Sequence, residues 1–83
     1  MEIDGKDYRF IVFSDVSDRD GLGVEVSIEL SSETRTVCEV FRSDVDGTVT
    51  FTAFEEDIPL VVVERACRMA RERLLGDDEL GGR

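Results

Sequence analysis

The stretch L-G-V-E-V-S-I-E-L at residues 22–30 governs the reading of this chain. Val24, Val26, Ile28 and Leu30 alternate with Glu25, Ser27 and Glu29. Side chains on a strand point to opposite faces with period two, so this pattern predicts a half-buried strand with carboxylates on its wet face.

Working outward, residues 8–14 read Y-R-F-I-V-F-S, aromatic and β-branched, and predict a strand ahead of it. That strand is apolar on both faces, with Tyr8, Phe10 and Val12 on one side and Ile11 and Phe13 on the other. D-V-S-D-R-D-G at 15–21 is a loop with a turn signal at its end. Residues 31–33 make a short turn into a third strand over 35–42, again two-faced, with Val37 and Phe41 opposing Cys38 and Val40. S-D-V-D-G at 43–47 ends in Asp46-Gly47, a strong hairpin cue. A fourth strand follows over 48–54, with Val49, Phe51 and Ala53 on one face and Thr48, Thr50, Thr52 and Phe54 on the other. Residues 1–7 are polar, and only Ile3 there suggests the start of a strand.

After residue 54 the period changes. Glu55-Glu56-Asp57 precedes Pro59, a residue suited to the first turn of a helix, and carboxylates there suit the helix dipole. Leu60, Val63, Cys67, Ala70 and Leu74 then recur at helical spacing, widened by Val62, Ala66 and Met69. The reading is a helix over about 58–75 with that stripe buried, stopped by Gly76, and a solvated tail over 76–83.

The order predicts one α+β domain over 1–83 with an ordered core of about 8–75. A four-stranded antiparallel meander is followed by a C-terminal helix on one sheet face. One helix covers one face, and two strands are apolar on both. The uncovered face is therefore expected to meet something: a second copy packed sheet to sheet, the sheet's own curl, or a different partner.

Composition limits function. The 83 residues carry 20 Asp and Glu against 10 Lys and Arg, a formal net charge of -10, and no His. Such a chain repels nucleic acid and anionic membrane and attracts basic partners. It lacks the side chain most used for acid–base chemistry near neutral pH. Lys6 is the single lysine. Such an acidic, lysine-poor balance also fits a halophilic or GC-rich host. The start Met1-Glu2-Ile3-Asp4 has no apolar stretch, so no signal peptide is expected, and the apolar run 58–63 is too short to span a bilayer. A cytoplasmic protein is the expectation.

Specific chemistries fail on spacing. The loop D-V-S-D-R-D-G places Val16 and Ser27 where a calcium loop needs acids at positions one and twelve. Cys38 and Cys67 lie 29 positions apart with no His, which is no zinc site; both read as reduced core residues. Arg65, Arg68, Arg71 and Arg73 form the only basic stripe, offset by Glu64, Glu72 and the acidic tail. No catalytic, cofactor or metal residues are expected. What remains is a small acidic non-enzymatic protein-binding module of inhibitor or immunity type, holding a basic site on its partner through Asp15, Asp18, Asp20, Glu55, Glu56 and Asp57. The alternative is a self-associating, homodimeric accessory protein whose acidity reflects its host.

Overall fold

The computed structural model describes residues 1–16 and 19–75. It is an α+β fold: an antiparallel sheet in sequential order, with one helix at the C-terminal side. The strands are β1 (Glu2–Ile3), β2 (Lys6–Asp15), β3 (Gly21–Glu29), β4 (Thr34–Ser43) and β5 (Val49–Ala53). Helix α1 (Leu60–Ala70) continues into a π-helical turn, Arg71–Leu75. The expected tail over 76–83 lies outside the described residues.

Among the described residues the sheet has five strands, not four. The extra one, β1, folds back on β2 with Ile3 opposite Lys6. Asp4 and Gly5 both have positive φ, 52° and 81°, which is the two-residue hairpin turn that matches strand twist. The Asp4-Gly5 pair is the same cue as Asp46-Gly47, and the brevity of the strand conceals it in a polar segment.

Register decides which residues share a face. Phe10 pairs with Val26, and Val26 with Cys38; Val12 pairs with Val24, Val24 with Val40, and Val40 with Phe51. These rows form the inner face. Helix α1 closes over it with Val62, Ala66 and Ala70, followed by Leu74, giving one core with Tyr8, Val24, Val26 and Ile28. The small side chains of Ala66 and Ala70 let the helix axis approach the sheet.

Two expectations about faces are corrected. The buried stripe is not Leu60, Val63 and Cys67: Leu60 is 70 % exposed, Cys67 is exposed and Val63 half-buried, whereas Val62 and Ala66 are fully buried. At 100° per residue the helix is turned by roughly 60° from the expected orientation. Residues 60–63 are apolar throughout, so local pattern cannot choose between the two stripes. In β4, a register shift at Val26/Ser27 inserts one extra residue, Val37, between Thr36 and Cys38. A bulge turns consecutive side chains to one side. Val37 and Cys38 are accordingly both in the core, instead of opposing each other.

Helix entry also differs. Pro59 precedes the first helical residue, and its carbonyl accepts the Val62 and Val63 N–H groups at 2.9 and 3.3 Å. No side chain caps the helix, and its first turn holds no acid, so Glu55, Glu56 and Asp57 lie before it in the connecting turn.

Candidate functional site

The outer face carries Arg9, Ile11, Phe13 and Asp15 from β2, Glu25 and Glu29 from β3, and Thr36, Glu39 and Phe41 from β4. Its aromatic part is covered from within the chain, while Ile11 remains 49 % exposed. Phe13 and Phe41 stack with centroids 6.4 Å apart, beside Gly21 and Gly23 of β3. A Cβ on Gly23 would stand 2.4 Å from the Phe13 ring, so the missing side chains form the trough in which the rings lie. The Arg19 guanidinium sits 4.1 Å from the Phe41 centroid and closes the trough. Only 6 % of Phe41 remains exposed. The bare apolar patch expected on this face is thereby reduced to Ile11 and the part-exposed Phe13. Elsewhere the face is ionic, with Arg9 paired to Glu29 at 2.7 Å and Thr36 donating to Glu25 at 2.9 Å.

The acids selected from sequence fall into two groups at opposite ends of the sheet. At one end, the β2–β3 and β4–β5 turns are joined by the Asp44 N–H donating to the Asp20 carbonyl at 2.8 Å. This places Asp20 beside the turn that carries Asp44 and Asp46, and all three side chains are exposed. Asp46 accepts from the Thr48 backbone N–H at 3.0 Å and from its hydroxyl at 2.8 Å, and these bonds hold its carboxyl below the usual range. Asp44 pairs with Arg42 at 3.2 Å. Asp15 is turned inward toward Arg19 at 3.3 Å, and Arg19 also donates to Glu39 at 2.7 Å. The Glu39 hydrogen bond is the main reason the guanidinium is held still more firmly in its charged form. Asp18 lies outside the described residues.

At the other end, Glu55 is half-buried and paired with Arg35, while Glu56 and Asp57 are exposed, with Asp57 at φ 56°. Along β5 the two ends are separated by roughly 20–30 Å at 3.3 Å per residue. The structure thus brings Asp20 together with Asp44 and Asp46, which the sequence reading did not select, and keeps it apart from Glu56 and Asp57. The Asp46-Gly47 turn was legible in sequence; its contact with the neighbouring turn was not.

The two cysteines are free; Cys38 is the buried core residue expected, and Cys67 is exposed instead. Cys38 is buried, and desolvation, followed by the neighbouring Cys67, pushes its thiol up to about 11. Cys67 is exposed on the flank of the helix. A protonated, buried thiol is a poor nucleophile. Among the described residues no group of three or more Cys, Asp or Glu side chains is placed to hold a metal ion. No helix among them is long and apolar enough to cross a membrane.

Comparison with protein-family models, with curated proteins and with solved structures finds no match to this chain.

Proposed function

We propose that this chain is a small non-enzymatic protein-binding module of the cytoplasm that engages a basic partner through one acidic end of its sheet. The observation that carries the reading is the Asp44–Asp20 backbone bond, which holds two acidic turns side by side with Asp20, Asp44 and Asp46 exposed. Neighbouring carboxylates on adjoining turns set up a negative field that steers a cationic surface and disfavours anionic ones. The far-end acids are the second candidate: Glu55 is paired with Arg35 there, as Asp44 is with Arg42, and they lie on a single connecting segment with no second acidic turn bonded to it among the described residues.

The reading is tested by immobilising the protein, identifying what it captures from its host, and repeating the capture with two charge-neutralised forms. One carries Asp20→Asn, Asp44→Asn and Asp46→Asn; the other carries Glu56→Gln and Asp57→Asn. A basic partner lost only with the first, and released by salt, supports the reading. Capture unaffected by the first set refutes it.

A further inference from the structure

Among the described residues β5 pairs on one side only, with β4, and its other edge is unlike the rest of their surface. Residues 47–54, G-T-V-T-F-T-A-F, are the longest uncharged run in a chain of net charge -10. They lie on a sheet edge, where proteins commonly place charges or proline to block pairing. The opposite edge, β2, is protected in that way: Lys6, Asp7, Arg9 and Asp15 punctuate it, β1 covers its start, and the Arg65 guanidinium lies 5.5 Å over Phe10.

The hydrogen bonding of β5 shows which groups are unused. The Phe54 N–H donates to the Val37 carbonyl and the Thr48 carbonyl accepts from Ser43, so the even-numbered residues face β4. Strand geometry then aims the N–H and C=O groups of Val49, Phe51 and Ala53 outward. The side chains of these same residues point to the helix side, where Phe51 is 44 % and Val49 43 % exposed. The helix packed on β3 and β4 carries a flank that its rotation leaves exposed, Leu60 and Cys67, with Val63 half-buried between them. Arg65 reaches toward β2, so this flank faces β4 and β5, in keeping with the influence of Cys67 on Cys38.

We infer that β5 is a self-association edge: a second copy of this chain pairs with it antiparallel about a two-fold axis at Phe51. Phe51 then opposes its own counterpart, and Val49 opposes Ala53. Each of these residues is a hydrogen-bonded position, so all its outward groups find partners. The axis lies normal to the sheet, so both helices stay on one side and their uncovered flanks close over the paired Phe51 rings. Two copies of like charge repel elsewhere, and this neutral edge is where they meet at least electrostatic cost. The edge is about 17 Å long at 3.3–3.4 Å per residue. The molecule is 18 Å through its thinnest dimension. Contact over that section is on the order of 300 Å² per copy, below the standard size for a stable interface, so the dimer is weak and concentration-dependent. It does not rest on the acidic-end proposal and uses none of those residues.

The test is sedimentation from 5 to 500 µM at low salt and at 1 M salt, where charge repulsion is screened to about 3 Å, with amide exchange read residue by residue. The expected result is a monomer–dimer equilibrium tightened by salt. The Val49, Phe51 and Ala53 amides should gain at least tenfold protection as dimer forms, while Thr50 and Thr52 stay protected throughout. Phe51→Lys should leave a folded monomer at every concentration, and Val45→Lys, in the exposed β4–β5 turn, should dimerise as the parent does. A monomer at 500 µM in 1 M salt overturns the inference. So does a dimer in which the β2 amides of Phe10 and Val12 gain the protection, or one that survives Phe51→Lys. Larger open assemblies would mean edge β5 pairing with a different edge, and would equally overturn it.

Discussion

Arg19 lies over Phe41 with its guanidinium carbon 4.1 Å from the ring centroid, while its nitrogens reach Glu39 and Asp15. A flat cation on an aromatic face gains from the ring quadrupole, and its hydrogen-bond fork is filled by carboxylates at the rim. Through this one side chain, the loop covers Phe41 on the sheet face that has no helix.

Removing that cover has a defined signature. Arg19→Ala should lower the urea midpoint and expose the Phe41 ring, with a smaller loss at high salt. Arg19→Lys should recover little, because a point charge neither stacks nor forks. Equilibrium unfolding with aromatic proton spectra of Phe41 checks both; an unchanged midpoint in Arg19→Ala would mean that the rings hold the trough alone.

The trough needs glycine for close approach. In Gly21→Ala the new methyl would stand 2.1 Å from the Arg42 carbonyl oxygen, so backbone must move. In Gly23→Ala the collision is with the outer atoms of the Phe13 ring, which can swing toward water. Overpacking costs typically 1–3 kcal/mol, so Gly21→Ala should sit at about 3 kcal/mol and Gly23→Ala nearer 1 kcal/mol. Chemical denaturation of the two variants orders them; the reverse order would refute this account of the trough.

The orientation of the helix is tested by two acids two positions apart. Val62 is fully buried, and Val62→Asp should cost more than about 4 kcal/mol and unfold the domain. Leu60 is 70 % exposed, and at low protein concentration Leu60→Asp should change stability by no more than about 0.5 kcal/mol. Far-ultraviolet circular dichroism through thermal unfolding separates them.

Alkaline stability should carry the mark of Cys38. Its folded thiol ionises at about 11, above the ordinary value of 9.0, so the neutral form is favoured in the core. A raised folded pKa contributes stability that is fully present below 9 and is lost as pH rises toward 11. A tenfold change in an ionisation constant is worth about 1.4 kcal/mol, so the loss attributable to Cys38 should reach up to about 2 kcal/mol. Denaturant midpoints from pH 8 to 11 should therefore fall more steeply for the parent than for Cys38→Ala. Parallel profiles would remove Cys38 from the alkaline transition.

Local pattern alone was enough to find β2 to β5 and their meander, though not the short β1. Alternation in residues 22–30, β-branched and aromatic runs on either side and the Asp46-Gly47 turn are local signals, because a strand shows its period within a few residues. It also determined that a helix follows Pro59. It did not determine which stripe that helix buries, since residues 60–63 are apolar on every side and the choice rests on how closely Ala66 and Ala70 approach the sheet. Nor did it reveal the bulge at Val37, which exists only relative to β3. The fate of the second apolar face was also hidden, because Phe13, Phe41, Gly21, Gly23 and Arg19 come from three strands and a loop and meet only when register is set. The acidic end is of the same kind: Asp20 and Asp44 are 24 positions apart in sequence, and one backbone hydrogen bond between two turns makes them neighbours. Period and turn chemistry are written along the chain; register, rotation and contact between distant segments are decided by packing, where the free energy of burial is shared among residues that no local pattern connects.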